Sequence, residues 1–155
     1  MDEEAGPAPA IEAPVRAVLF ACSMNAIRSP LAAAIAREQR PDIYIASAGV
    51  RRGDPDGLAG AVARETGLSL DDHDPHSMTD LADLSFDLVI TLSDEARDAV
   101  ARLTRTNDIR HEHWDVDDPS LSTGSREQRL AAYRAIRDDL AARIAARFGS
   151  PVVAP

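Results

Sequence analysis

The chain has 155 residues, an apolar share of 45% and a formal net charge of -9. That length suits one domain burying roughly 70% of its unfolded surface, with no need of disulfides or a structural metal. The acidic balance argues against nucleic acid and anionic membranes as partners. No apolar run approaches the ~20 residues that span a bilayer, and the single cysteine excludes an internal disulfide. The first residues have neither the basic region nor the apolar core of a signal peptide, so the expectation is a soluble, cytoplasmic protein.

Residues 1–14 are acidic and Ala/Pro-rich and read as a disordered tail. Arg16 to Ala21 is apolar enough for a short buried strand. Ser29-Pro30 then suits the cap and first turn of a helix that runs to about Arg40, before Pro41. Ile43-Tyr44-Ile45-Ala46 is a second strand, ending at Ser47-Ala48-Gly49. Asp54-Pro55 repeats the cap-plus-proline opening, and Gly67 closes that helix. Residues 68–84 form a polar, irregular connection carrying His73 and His76.

Phe86 to Leu92 is a third strand, followed by a helix that starts at Ser93-Asp94-Glu95, where acidic residues favour the dipole. Ile109 to Trp114 is a weaker fourth strand, and residues 115–123 an acidic loop. Ser125 and Gln128 form a capping box. Leu130, Tyr133, Ile136, Leu140, Ile144 and Phe148 then give the last helix one core face, and residues 150–155 a short tail. The order βαβαβαβα predicts a single α/β domain over 15–149, in three layers, with a four-stranded parallel sheet flanked by helices. Ligands of such sheets bind at the carboxyl ends of the strands, and Cys22 stands at that end of the first strand.

The loop from Cys22 to Arg28 carries the chemistry. Only a thiolate attacks, and a thiolate needs nearby positive charge. The N–H groups of Ser23, Met24, Asn25, Ala26 and Ile27 can turn inward, the helix near Ser29 adds a positive dipole end, and the Arg28 fork matches two oxygens of a tetrahedral oxyanion. Ser29 can donate to the sulfur. Asp115, Asp117 and Asp118 are all candidate acids in one loop, and Asp118 alone is stiffened by a following Pro119. His111 and His113 share a strand face without a thiolate nearby, so no metal and no cofactor is expected.

These residues resemble the low-molecular-weight protein tyrosine phosphatases and the related arsenate reductases. Those proteins carry a Cys, five residues and Arg-Ser near the N-terminus, an Asn three residues after the Cys, Ser-Ala-Gly after the second strand and a late Asp-Pro. Cys22 to Ser29, Asn25, Ser47-Ala48-Gly49 and Asp118-Pro119 match in that order. The resemblance implies their strand order, which is flavodoxin-like. It implies a phosphomonoester hydrolase, with phosphoproteins among the substrates, in which Cys22 forms a cysteinyl-phosphate. Arg28 clamps the phosphoryl oxygens, and Asp118 serves as acid and then base. Asn25 shapes the loop, with Ser47 and His76 behind it.

The chain also departs from the family. Met24 replaces a usual Gly, Ile27 a frequent second cysteine, and Ser120-Leu121 aromatics that line a phosphotyrosine pocket. Arsenate reduction by one cysteine with an external thiol or redoxin is the first alternative, and a non-catalytic oxyanion-binding module the second. The expected partner is a phosphate or arsenate oxyanion, with the protein a monomer or weak dimer.

Overall fold

The computed structural model describes residues 14–81, 86–104 and 109–149. The expected tails at 1–14 and 150–155 lie outside it but for Pro14. Four strands alternate with helices: β1 Ala17–Cys22, α1 Arg28–Gln39, β2 Tyr44–Gly49, α2 Gly57–Glu65, β3 Leu88–Thr91, α3 Asp94–Thr104, β4 Arg110–His113 and α4 Arg126–Phe148. Short 3-10 turns lie at Met78–Leu81 and Pro119–Leu121. All strands are parallel, in the order β2-β1-β3-β4.

The chain therefore steps to one side of β1 for β2 and to the other side for β3. This reversal of direction opens a crevice at the carboxyl end of β1. Alternation along the strands divides the core. Val18, Phe20, Leu88 and Ile90 pack with Leu31, Val62, Leu140 and Ile144 of α1, α2 and α4. Leu19 and Val89 pack on the opposite face with Val100 of α3. The last helix has the capping box and the buried face that its sequence predicts, with Phe148 half-buried. No helix among the described residues is long and apolar enough to cross a membrane.

Two helix starts differ from expectation. α1 begins at Arg28, with no side chain capping its N-terminus. Ser29 lies inside the first turn because its hydroxyl is drawn to the Cys22 sulfur at 2.9 Å. α2 is capped by Asp56 and not by Asp54. One Asp56 carboxylate oxygen accepts from the N–H groups of Leu58 and Ala59, and the other accepts from the Tyr133 hydroxyl of α4. Burial and the neighbouring Asp56 charge push the Tyr133 phenol up to about 12.

Outside the core, α2 and α4 are joined by Glu65, which accepts from Arg134 and Arg137. Those hydrogen bonds, Arg134 first, bring its carboxyl down from the usual 4.5 to about 2. A carboxylate depressed in the folded state adds stability above its unfolded value and loses it as pH falls through the folded value. Glu65→Gln is therefore expected to melt below the parent at neutral pH. The gap should close between about pH 4.5 and 2 in thermal melts followed by circular dichroism.

Candidate active site

The loop between β1 and α1 reverses direction within a few residues, and Asn25 makes this possible. It is the one non-glycine residue with positive φ among those described, at 56°. Asparagine adopts that conformation more readily than most residues. Asn25 is fully buried and held from three sides. Its Nδ2 donates to Ser29 Oγ at 2.8 Å, its Oδ1 accepts from the His76 N–H at 2.8 Å, and its carbonyl is bonded by His73 Nε2 at 2.9 Å. A carbonyl can only accept, so His73 carries its proton on Nε2. Burial lowers the His73 pKa, which favours the neutral ring.

Met24, which stands where the family usually has Gly, does not have a positive φ. It is accommodated by Gly53, where an added Cβ would lie 2.9 Å from the Met24 Cβ. Gly49 is constrained harder. A Cβ there would overlap the Arg51 carbonyl and stand 2.7 Å from the Asn25 nitrogen. The segment after β2 thus runs directly against the loop. Val50, Arg51 and Gly53 donate backbone N–H groups to the carbonyls of Cys22, Ser23 and Met24.

The loop's carbonyls are engaged in this way, but its N–H groups are not. From Ser23 to Arg28, no N–H has a protein acceptor among the described residues. Buried backbone donors are nearly always paired, and a run of successive free N–H groups is an anion-binding nest. All of these residues but Asn25 line a cavity of 210 Å³ with Cys22, Gly53, Asp54, Asp56, Asp118 and Ser120.

Arg28 closes one side of the cavity. Its Nη1 donates to the carbonyls of Leu92 and Val116 at 3.3 and 3.0 Å, just beyond the ends of β3 and β4. Its Nη2 lies 3.8 Å from Asp118 Oδ2. Asp118 uses its other oxygen to cap the following turn, accepting from the Ser120 N–H and hydroxyl. Of the three acidic residues in that loop, Asp118 alone lines the cavity.

The geometry therefore gathers Cys22, Ser23, Met24, Ala26, Ile27, Arg28 and Asp118 around one space, with Asn25 and Ser29 directly beneath. His76 reaches the loop through its backbone, while the ring contact comes from His73. Sequence reasoning missed this role because an irregular segment has no periodicity from which to read ring direction. Ser47 is buried in β2 and makes no hydrogen bond to Asn25 among those described. Gly53, Asp54 and Asp56 were also missed. Their signal was the Gly-Asp-Pro-Asp run soon after Ser-Ala-Gly. Metal ligands could come from Asp94, His113 and Asp115, whose donor atoms lie within 4.8 Å of one another, but none lines this cavity.

Residues 17–148 match the profile of the family described as low molecular weight phosphotyrosine protein phosphatase. An arsenate reductase of Bacillus licheniformis is 29% identical over 134 residues, covering 83% of this chain and 92% of the relative. The crystal structure of the Erwinia amylovora tyrosine phosphatase AmsI is 25% identical with a TM-score of 0.71, covering 86% of this chain and 91% of that one. The tyrosine phosphatase Wzb from Escherichia coli K30, in complex with sulphate, shares the fold at 23% identity and a TM-score of 0.72. That match covers 88% of this chain and all of Wzb.

Asn25→Ala removes two side-chain hydrogen bonds and leaves a Cβ-bearing residue at positive φ, for an expected loss of about 3–4 kcal/mol. Asn25→Gly removes the same bonds without the strain, so urea unfolding should find it less destabilised than the alanine variant by about 1 kcal/mol.

Proposed function

Because the chain belongs to the low molecular weight phosphotyrosine protein phosphatase family, we propose that it hydrolyses phosphomonoesters through a cysteinyl-phosphate formed on Cys22. The run of unpartnered N–H groups from Ser23 to Arg28 beside the Cys22 sulfur carries this reading. Those donors and the Arg28 fork bind the phosphoryl oxygens, and they act most strongly where charge gathers in the transition state. Cys22 Sγ attacks phosphorus as the ester oxygen departs, and Asp118 delivers the proton that the leaving oxygen needs. Water then attacks the cysteinyl-phosphate, Asp118 takes its proton, and the sulfur leaves as thiolate.

The two Asp118 oxygens divide this work. Oδ1 is tied to Ser120, and Oδ2 faces Arg28 and the cavity. Ser29 Oγ, 2.9 Å from the sulfur, supports the thiolate by donating a hydrogen bond, and Asn25 holds that hydroxyl in place.

Breadth of substrate follows from the wall. Among the described residues no aromatic side chain lines the cavity, and Met24, 40% exposed, is the largest apolar contact. A phosphoprotein side chain therefore meets a short, open cleft that does not demand a phenol ring. A thiolate nucleophile also suits a reducing compartment, so the cytoplasm is part of the proposal.

The arsenate reductases among the relatives support a second reading at the same site, since arsenate has the shape and charge of phosphate. Cys22 is the only cysteine in the sequence. An arsenate adduct on it would have to be resolved by an external thiol or redoxin.

The intact chain should hydrolyse phenyl phosphate. Cys22→Ser should abolish turnover yet still bind inorganic phosphate. Asp118→Asn should lower kcat/KM by about 10²–10⁴-fold for this poor leaving group, and much less for p-nitrophenyl phosphate. Full activity in Cys22→Ser would overturn the nucleophile. Arsenate-dependent oxidation of an added redoxin, with no ester hydrolysis, would favour the second reading.

A further inference from the structure

The sheet edge at β2 carries an unexplained pair of polar groups. Tyr44 donates its N–H to the Arg16 carbonyl, so Tyr44, Ala46 and Ala48 turn their backbone groups toward β1. Ile45, Ser47 and Gly49 then turn theirs outward. Two of these three positions are engaged within the chain. The Ile45 carbonyl accepts from Arg37 Nη2 at 2.9 Å, and the Gly49 N–H donates to the His76 carbonyl at 2.8 Å.

Ser47 stands between them and is 4% exposed. Its outward N–H, its outward carbonyl and its hydroxyl have no partner among the described residues. Buried backbone groups of this kind are paired in the great majority of folded proteins. Ser47 lines a second cavity of 580 Å³, bounded by α1, β2 and residues 69–76. That volume is within the range of small-molecule sites.

We propose that this cavity binds a small neutral molecule presenting an acceptor and a donor side by side in one plane, as a lactam or primary carboxamide does. The acceptor takes the Ser47 N–H and the donor gives to the Ser47 carbonyl. An added peptide strand does not fit, because Arg37 and His76 occupy the flanking outward groups such a strand would need. Charge at the walls is mixed, with Arg37 against Asp72 and Asp74, so a neutral occupant is favoured. His73 lines the cavity and also bonds the Asn25 carbonyl, so an occupant touches a residue that shapes the loop beside Cys22. This site is independent of the hydrolytic reading.

The probe is 2-pyridone, titrated into the full chain labelled with nitrogen-15. N-methyl-2-pyridone, which keeps the ring and lacks the donor, is the control. The Ser47 and His73 amide signals should shift saturably with Kd of about 1–10 mM, and the methylated probe should bind at least about tenfold more weakly. Ser47→Pro deletes the outward N–H, which the ladder to β1 does not use, and should abolish binding. Leu70→Trp, which fills the cavity, should abolish it without touching the edge. Ser47 signals that do not move, equal binding of the two pyridones, or binding that survives Leu70→Trp would each overturn the proposal.

Discussion

A strand that ends at a thiol and a helix that starts six residues later leave little room to turn. Backbone donors lining such a turn face one point only if some residue adopts a conformation that most side chains resist. Asn25 meets this requirement, and the surrounding fold is arranged to keep it there. Its amide ties the loop to Ser29, its carbonyl to His73 and its side-chain oxygen to the His76 backbone. Two of the three contacts come from residues 73–76, remote in the chain, so tertiary structure reinforces the local preference of asparagine for this conformation. The absence of a side chain at Gly49 belongs to the same constraint, since it lets the segment after β2 close against Asn25 and Met24.

The sheet supplies the rest. Parallel strands end together, and the reversal of strand order beside β1 leaves space above Cys22. The same strand ends present carbonyls that fix Arg28. A cation held by neutral dipoles, with Asp118 only at 3.8 Å, keeps much of its charge for an incoming anion. The net charge of -9 would repel an anion at a distance, and this local arrangement would offset that close to the site. Attraction is concentrated within a few ångströms, where donors are fixed, while the wider surface remains negative.

The architecture was legible because hydrophobic period, prolines and caps agreed along most of the chain. Ser125 with Gln128, and the 3–4 spacing of Leu130, Tyr133, Ile136, Leu140 and Ile144, mark α4 without help from the rest of the molecule. The strand-loop-helix setting of Cys22 and Arg28 was equally local. What could not be read depends on side chains turning away from their usual duty. Ser29 looks like a cap but serves the sulfur, which leaves α1 without a side-chain cap. Asp54-Pro55 looks like a helix start, yet Asp56 makes the bonds because it also meets Tyr133 across the cavity wall. The carbonyls of Leu92 and Val116 had no signal at all, since any residue type provides one. His73 differs from His76 only in which way a ring points within an irregular stretch.

β4 is the outer strand on the side of the sheet opposite β2, and all four of its residues are only partly buried. Outer strands of this kind open more cheaply than the strands they flank, in transient excursions that leave the main core folded. The Val116 carbonyl that steadies Arg28 lies three residues beyond β4. When β4 frays, the guanidinium loses its firmer anchor while β1, the thiol and the asparagine-locked loop stay in place. The position of the Arg28 guanidinium is thus tied to an outer strand of the sheet. On warming, Arg28 would lose this anchor before the core of the sheet loosens.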